Sequence, residues 1–231
     1  MIAQKTVYVF QKRFAKSSKA LIWGLFISVV LLAIFAKLSE DLLYHELGTF
    51  DRVVGEFIRG FATPSLTKAA IIITNLGSAY IEIGLMFVVG AFLLFRLKHT
   101  WETVLLAISF SGAWVLNTIL KELFHRARPD IVHLVKAGGY SFPSGHAMVA
   151  ASFYGVIGYI LWLNRRNRSK PSWYIVVITL AFIIGIGISR IYLGVHFASD
   201  VIAGYAAGGV WAIACIVGLK EIRDYKSNHQ D

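Results

Sequence analysis

Uncharged apolar stretches alternate with short charged ones along most of this chain. A membrane-spanning helix needs roughly 20 mainly apolar residues. Six segments meet that requirement: 20–38, 77–97, 101–123, 145–163, 171–190 and 198–219. Little sequence is left over, so residues 1–231 read as a single integral-membrane domain, an all-α polytopic bundle of six transmembrane helices. Residues 40–76 are too long for a bare connector. Phe50, Val53, Val54, Phe57, Ile58 and Phe61 recur there at helical spacing, with Asp51, Arg52, Glu56 and Arg59 between them. That pattern predicts an extra amphipathic helix between spans one and two, lying at the membrane interface and ended by Pro64. Residues 66–76, with Lys68 and polar ends, are too short to span and read as a short helix dipping toward the bundle.

Composition supports the membrane reading. Hydrophobic residues make up 57% of the chain, against about 45–50% in soluble domains. The formal charge of +10 would raise the question of nucleic acid in a soluble chain, but here the positive residues sort by loop. Lys5, Lys12, Arg13, Lys16 and Lys19 precede span one; Arg96 and Lys98 follow span two. Arg165, Arg166, Arg168 and Lys170 follow span four, and Lys220, Arg223 and Lys226 follow span six. Six spans put these four regions on one side, which the positive-inside rule assigns to the cytoplasm. The expected location is therefore the cell membrane with both termini cytoplasmic. The partner is the lipid bilayer, with no nucleic acid and no obligate protein partner evident. The first apolar run is long and Lys37 stands where a cleavage site would be, so it reads as a retained span. Cys215 is the single cysteine, which excludes an internal disulfide and fits packing.

Three polar clusters sit at the ends of apolar stretches: Lys121–Pro129 (KELFHRARP), Pro143–His146 (PSGH) and Ser189–Asp200 (SRIYLGVHFASD). Charges at a membrane edge are costly unless they pair or act. Spans three and five run outward, so Lys121, Arg128 and Arg190 lie at outer ends. Spans four and six run inward, so His146 and Asp200 lie at outer starts. Span order alone thus predicts one site on the outer face.

Arg supplies a planar fork for phosphate oxygens and Lys a compact charge, so Lys121, Arg128 and Arg190 are suited to hold a phosphoryl group. Arg128 precedes a proline and is expected beyond the helix end. Ser144 and Gly145 open span four, where free backbone N–H groups and the absence of a Cβ suit an approaching anion. His196 and Asp200 are four apart; a carboxylate on one imidazole nitrogen frees the other to attack. Gly194 frees the turn before them. His196 therefore reads as the nucleophile, and His146, with no nearby acid, as the proton donor to the leaving oxygen. No His–acid spacing resembles a metal set, and the Lys and Arg residues would repel a cation, so no metal and no cofactor are expected. Glu82 reads first as an interface residue that snorkels or caps a helix, and second as a functional group. Asn117 reads as an interhelix hydrogen bond, and Gly204 with Gly208 as close packing within the bundle.

At these residues the chain resembles the type-2 phosphatidic acid phosphatase superfamily. Its signature, Lys-x6-Arg-Pro, Pro-Ser-Gly-His and Ser-Arg-x5-His-x3-Asp, matches in all three parts over residues 121–200. The six-span layout with YSFPSGHA and SRIYLGVH is similar to its bacterial phosphatidylglycerophosphate phosphatase B group. The resemblance implies a metal-independent lipid phosphatase working through a phosphohistidine. His196 would carry the phosphoryl group, Asp200 would support it and His146 would protonate the leaving group. Lys121, Arg128, Ser144, Gly145 and Arg190 would bind phosphate. The implied substrate is phosphatidylglycerophosphate. Undecaprenyl pyrophosphate and phosphatidate are the other lipids of this kind, and transfer to a second lipid is the alternative to hydrolysis.

Overall fold

The computed structural model describes the backbone of residues 2–168 and 170–228, and the side chains of 21–166, 168 and 170–221. The elements are helices α1 (Ile2–Leu43), α2 (Gly48–Arg59), α3 (Pro64–Leu76), α4 (Ala79–Ala91), α5 (Thr100–Phe124), α6 (Gly145–Asn167), α7 (Trp173–Tyr192) and α8 (Ala198–Asn228). A π-helical turn, Phe92–Arg96, continues α4. Among the described residues no strand occurs. Six helices are long and apolar enough to cross a membrane: Leu21–Leu43, Ala79–Arg96, Thr100–Phe124, Gly145–Arg166, Trp173–Tyr192 and Ala198–Glu221. The chain is a multi-pass membrane protein. The basic arm that the sequence places before span one is backbone-helical from Ile2 and continuous with α1. The side chains of Lys5 to Lys19, and those of Arg223 and Lys226, lie outside the described residues.

Local chemistry sets the element ends near the future site. Pro64 does not end α2: that helix stops at Arg59, and Pro64 instead opens α3. A proline's missing N–H costs nothing in a first helical turn, and Thr63 caps it by accepting the Leu66 N–H at 3.2 Å. Helix α5 closes on His125, whose left-handed backbone (φ 48°) returns its N–H to the Lys121 carbonyl. Arg128 therefore lies in the loop beyond the helix. Gly194, at φ +77°, makes the turn between α7 and α8.

Helix α6 is the axis of the bundle. Ala150, Phe153 and Val156 are fully buried, in one cluster with Leu106 and Ala113 of α5 and Ile183 and Ile186 of α7. In a bilayer helices gain little from hiding apolar surface from lipid, so close van der Waals contact has to hold them. Gly204 and Gly208 of α8 supply it. A Cβ at Gly204 would lie 2.7 Å from the Ser144 carbonyl oxygen, and one at Gly208 would overlap the Met148 carbonyl. These glycines pack α8 on α6 within one molecule. Helix α1 lies outermost, with Gly24 against Ile213 and Val217 of α8 and Phe35 against Phe124 and Phe142.

Helix α2 sits at the bundle end where α5 and α7 finish and α6 and α8 begin. Its buried residues are Asp51 and Gly55, while Phe50, Val53 and Phe57 are exposed. Val54 and Ile58 pack against the core beside them, so the face turned to the protein mixes apolar contacts with the buried Asp51. Helix α3 leans on α7, where the Tyr192 hydroxyl meets Thr67 Oγ1 at 2.8 Å.

Candidate active site

His196 lies in the turn leading into α8 and is 3% exposed. Its Nδ1 is 3.4 Å from Asp200 Oδ2, and its Nε2 is 3.2 Å from Nη1 of Arg128. A guanidinium can only donate, so Nε2 is the acceptor and the ring proton sits on Nδ1, toward Asp200. Burial lowers the His196 pKa to about 4; Asp200 opposes this, and Arg128 and Arg190 add to it. The imidazole is thus neutral near pH 7, with its free lone pair on Nε2.

Asp200 is fully buried, as its partners require. Oδ2 accepts from the Ser141 hydroxyl and from the Phe197 N–H at 2.9 Å; Oδ1 accepts from Nη1 of Arg126 at 2.6 Å. A buried carboxylate is tolerated when each oxygen is matched this way.

The cations gather around the same histidine. Arg128 donates to the carbonyls of Gly138 (2.7 Å), Gly139 (3.0 Å) and Val195 (2.6 Å). Burial holds its pKa below the usual guanidinium value, with Asp200 opposing. Lys121 Nζ donates to the Tyr140 carbonyl at 2.6 Å. Arg190 donates from Nη1 to Thr74 Oγ1 at 2.8 Å, and its buried Nε has no partner among the described residues; neither has the Ser144 hydroxyl. Both are buried polar groups with hydrogen-bonding capacity unspent. His146, one residue into α6, is within electrostatic reach of Arg190, His196, Lys121 and Arg128. Lys121, Arg128, Ser144, His146, Arg190, His196 and Asp200 therefore meet at one end of the bundle. A cavity of about 310 Å³ runs from His196 along the polar side of α2, past Asp51, Arg52, Glu56 and Arg59.

Two local expectations change. The Ser144 N–H is not free for an anion, because it donates to the Asp200 carbonyl at 2.9 Å. Gly145 leaves room for a neighbouring side chain: a Cβ there would lie 2.8 Å from Asn117 Oδ1. Asn117 in turn donates to the Pro143 carbonyl at 3.2 Å, tying α5 to the start of α6. Glu82 is buried in the first turn of α4, with Oε1 unpartnered among the described residues; it does not snorkel.

Sequence reasoning passed over Asp51, Arg126, Ser141, Ser199 and Thr74. Arg126 bridges Asp200 and Asp51, at 2.6 Å to each. Asp51 also takes the Ser199 N–H and hydroxyl, both at 2.8 Å. The signal available was indirect: a buried Asp200 demands a counter-cation, and Arg126 is the spare arginine in the first cluster.

Comparison with known proteins agrees with this geometry. The PAP2 superfamily profile matches residues 101–224. Phosphatidylglycerophosphatase B of Bacillus subtilis is 34% identical over 180 residues, 78% of this chain and 88% of that protein. An undecaprenyl-diphosphatase of Sulfolobus acidocaldarius is 27% identical over 192 residues, 80% and 85% of the two chains. A crystal structure of the transmembrane PAP2-type phosphatidylglycerolphosphate phosphatase from Bacillus subtilis superimposes with a TM-score of 0.79 at 33% identity, covering 85% of this chain and 96% of that one. With its signature residues gathered at one end of a helical membrane fold, the chain belongs to the PAP2 superfamily, as a membrane-embedded phosphatase.

Proposed function

We propose that the protein hydrolyses the terminal phosphate monoester of phosphatidylglycerophosphate, on the extracytoplasmic face, through a phosphohistidine. The observation that carries this reading is the His196 tautomer, with the lone pair on Nε2 among Arg128, Arg190 and Lys121. In the first step Nε2 forms a bond to phosphorus while the bond from phosphorus to the lipid oxygen breaks. His146 gives its proton to that oxygen, and phosphatidylglycerol leaves. In the second step His146 takes a proton from water, the hydroxide attacks phosphorus and the N–P bond breaks, releasing phosphate. Asp200 balances the positive ring throughout. Arg128, Arg190, Lys121 and the Ser144 hydroxyl hold the phosphoryl oxygens, where transition-state charge gathers.

Two observations support the substrate and the sidedness: the relation to the Bacillus subtilis phosphatase over most of the chain, and the sorting of Lys and Arg to the loops opposite the site. The undecaprenyl-diphosphatase relative favours a second substrate, undecaprenyl pyrophosphate. The test is phosphate release by the purified protein in excess EDTA. Phosphatidylglycerophosphate, undecaprenyl pyrophosphate and phosphatidate are offered separately, with His196→Ala as control. Fastest release from the first lipid, lost in the variant, is the expected result. A different ranking replaces the substrate, and release that needs an added acceptor lipid replaces hydrolysis by transfer.

A further inference from the structure

We propose that Asp51 and Arg126 are positioning residues for phosphoryl transfer: their ion pair fixes the orientation of Asp200 and, through it, the basicity of His196. The inference rests on His196 as the nucleophile and extends the site onto a helix outside the signature.

The oxygens of Asp200 are unequally served. Oδ2 is shared among Ser141, the Phe197 N–H and His196, whereas Arg126 Nη1 is the donor placed on Oδ1. Without Arg126, that buried oxygen loses its donor and the carboxylate is free to rotate. Arg126 is itself fixed from three sides. Its Nη1 also donates to Ser199 Oγ at 2.7 Å, its Nη2 donates to Asp51 Oδ2, and its guanidinium lies over the Phe197 ring at 4.1 Å. Asp51, 4% exposed on α2, closes the arrangement by accepting the Ser199 N–H in the first turn of α8. An anion there also suits the positive end of the helix.

The charges set the sign. One guanidinium is divided between two carboxylates, so Asp200 keeps more negative charge than in an isolated pair. The groups facing His196 are Asp200 of α8, Arg190 of α7, His146 of α6, Lys121 of α5, Arg128 and Ser141 of the loop and, across the cavity, Asp51, Arg52, Glu56 and Arg59 of α2. Asp200 is the acid in contact with the ring and favours its positive form, and the Asp51–Arg126 pair governs how strongly. Removing the Arg126 charge should make His196 more basic; removing the Asp51 charge should make it less so.

The experiment uses full-length protein in lipid nanodiscs. Two readouts are taken: kcat and KM against pH with phosphatidylglycerophosphate, and the His196 titration by NMR of 15N-histidine-labelled protein without substrate. Arg126→Gln should lower kcat on the order of a hundredfold and Asp51→Asn on the order of tenfold. KM should stay within about twofold in both. The His196 titration should move up in Arg126→Gln and down in Asp51→Asn. Arg126→Lys should recover part of the rate. The double variant should be better than the product of the single losses, because it removes the opposed charges together. If Arg126→Gln does not fold, the isosteric Asp51→Asn decides the matter. An unmoved titration and rate in a folded variant, or losses that simply multiply, would overturn the proposal. A wild type that releases no phosphate from this lipid, with the titration still moving as stated, rejects the substrate and upholds the positioning role.

Discussion

Helices α1 and α6 both cross the membrane, yet they are built on opposite rules. In the spanning window of α6, 56% of residues are buried; in that of α1, 0% are. Ile22, Trp23, Leu25 and Phe26 of α1 face outward, where a large apolar side chain suffices. The packed faces of α6 carry Ala147, Ala150, Ala151 and Ser152, small residues that let α5, α7 and α8 come close. The Ser152 hydroxyl is satisfied across the bundle by the Ser109 carbonyl at 2.9 Å. Hydrophobicity is thus enough to hold a helix in the bilayer. Holding a reactive site requires small residues, matched polar groups and a defined register.

That contrast is best broken at the site end of the core. His196→Ala should lower phosphate release by at least about 10⁴-fold, since a nucleophile has no substitute. Arg190→Ala should follow at on the order of a hundredfold in kcat, the usual cost of one transition-state donor; steady-state kinetics checks both. The pH dependence sharpens the same point. His196 attacks as the free base and its pKa is about 4. The rate should therefore fall as pH drops through about 4 and should not vary with this group above pH 6, as a pH–rate profile would record. Within the bundle, Ala150→Leu on the fully buried face of α6 should destabilise by about 1–3 kcal/mol through overpacking. The smallest effect belongs to α1: Leu25→Ala, at a position 68% exposed, should change stability by less than about 0.5 kcal/mol. Thermal unfolding in detergent compares these two, and an equal shift would undo the contrast.

The same contrast explains what was legible. Spans announce themselves through length and apolar character, so their limits agree with the helices to within a few residues. The signature residues were readable because each cluster is local in sequence and span order brings the ends together. Asp51 was not: it lies 75 positions from Arg126 and 149 from Asp200, and helical spacing placed it among the polar residues of an interfacial helix. Pro64 misled for a different reason. A proline ends or begins a helix equally well, and the capping Thr63 decides which. Gly145 was marked for an approaching anion, whereas the side chain that lies against it is Asn117, which no local pattern reveals. Long-range polar pairing is the part of a site that periodicity does not encode.

The backbone contact of Gly204 and Gly208 with Ser144 and Met148 bears on how the protein meets membranes of different thickness. Lipid mismatch acts on the outer helices first, tilting them or drawing their ends inward. At the contact between α8 and α6 the glycines meet carbonyl oxygens and the Cβ atoms of Ala147 and Ala151, with no flexible side chain to compress, so the two helices slide past each other only at the cost of steric overlap. His146 and His196 ride on these two elements. Their separation should therefore act as a fixed gauge, with acyl-chain length tuning substrate access while the distance across which phosphate is handed over stays constant.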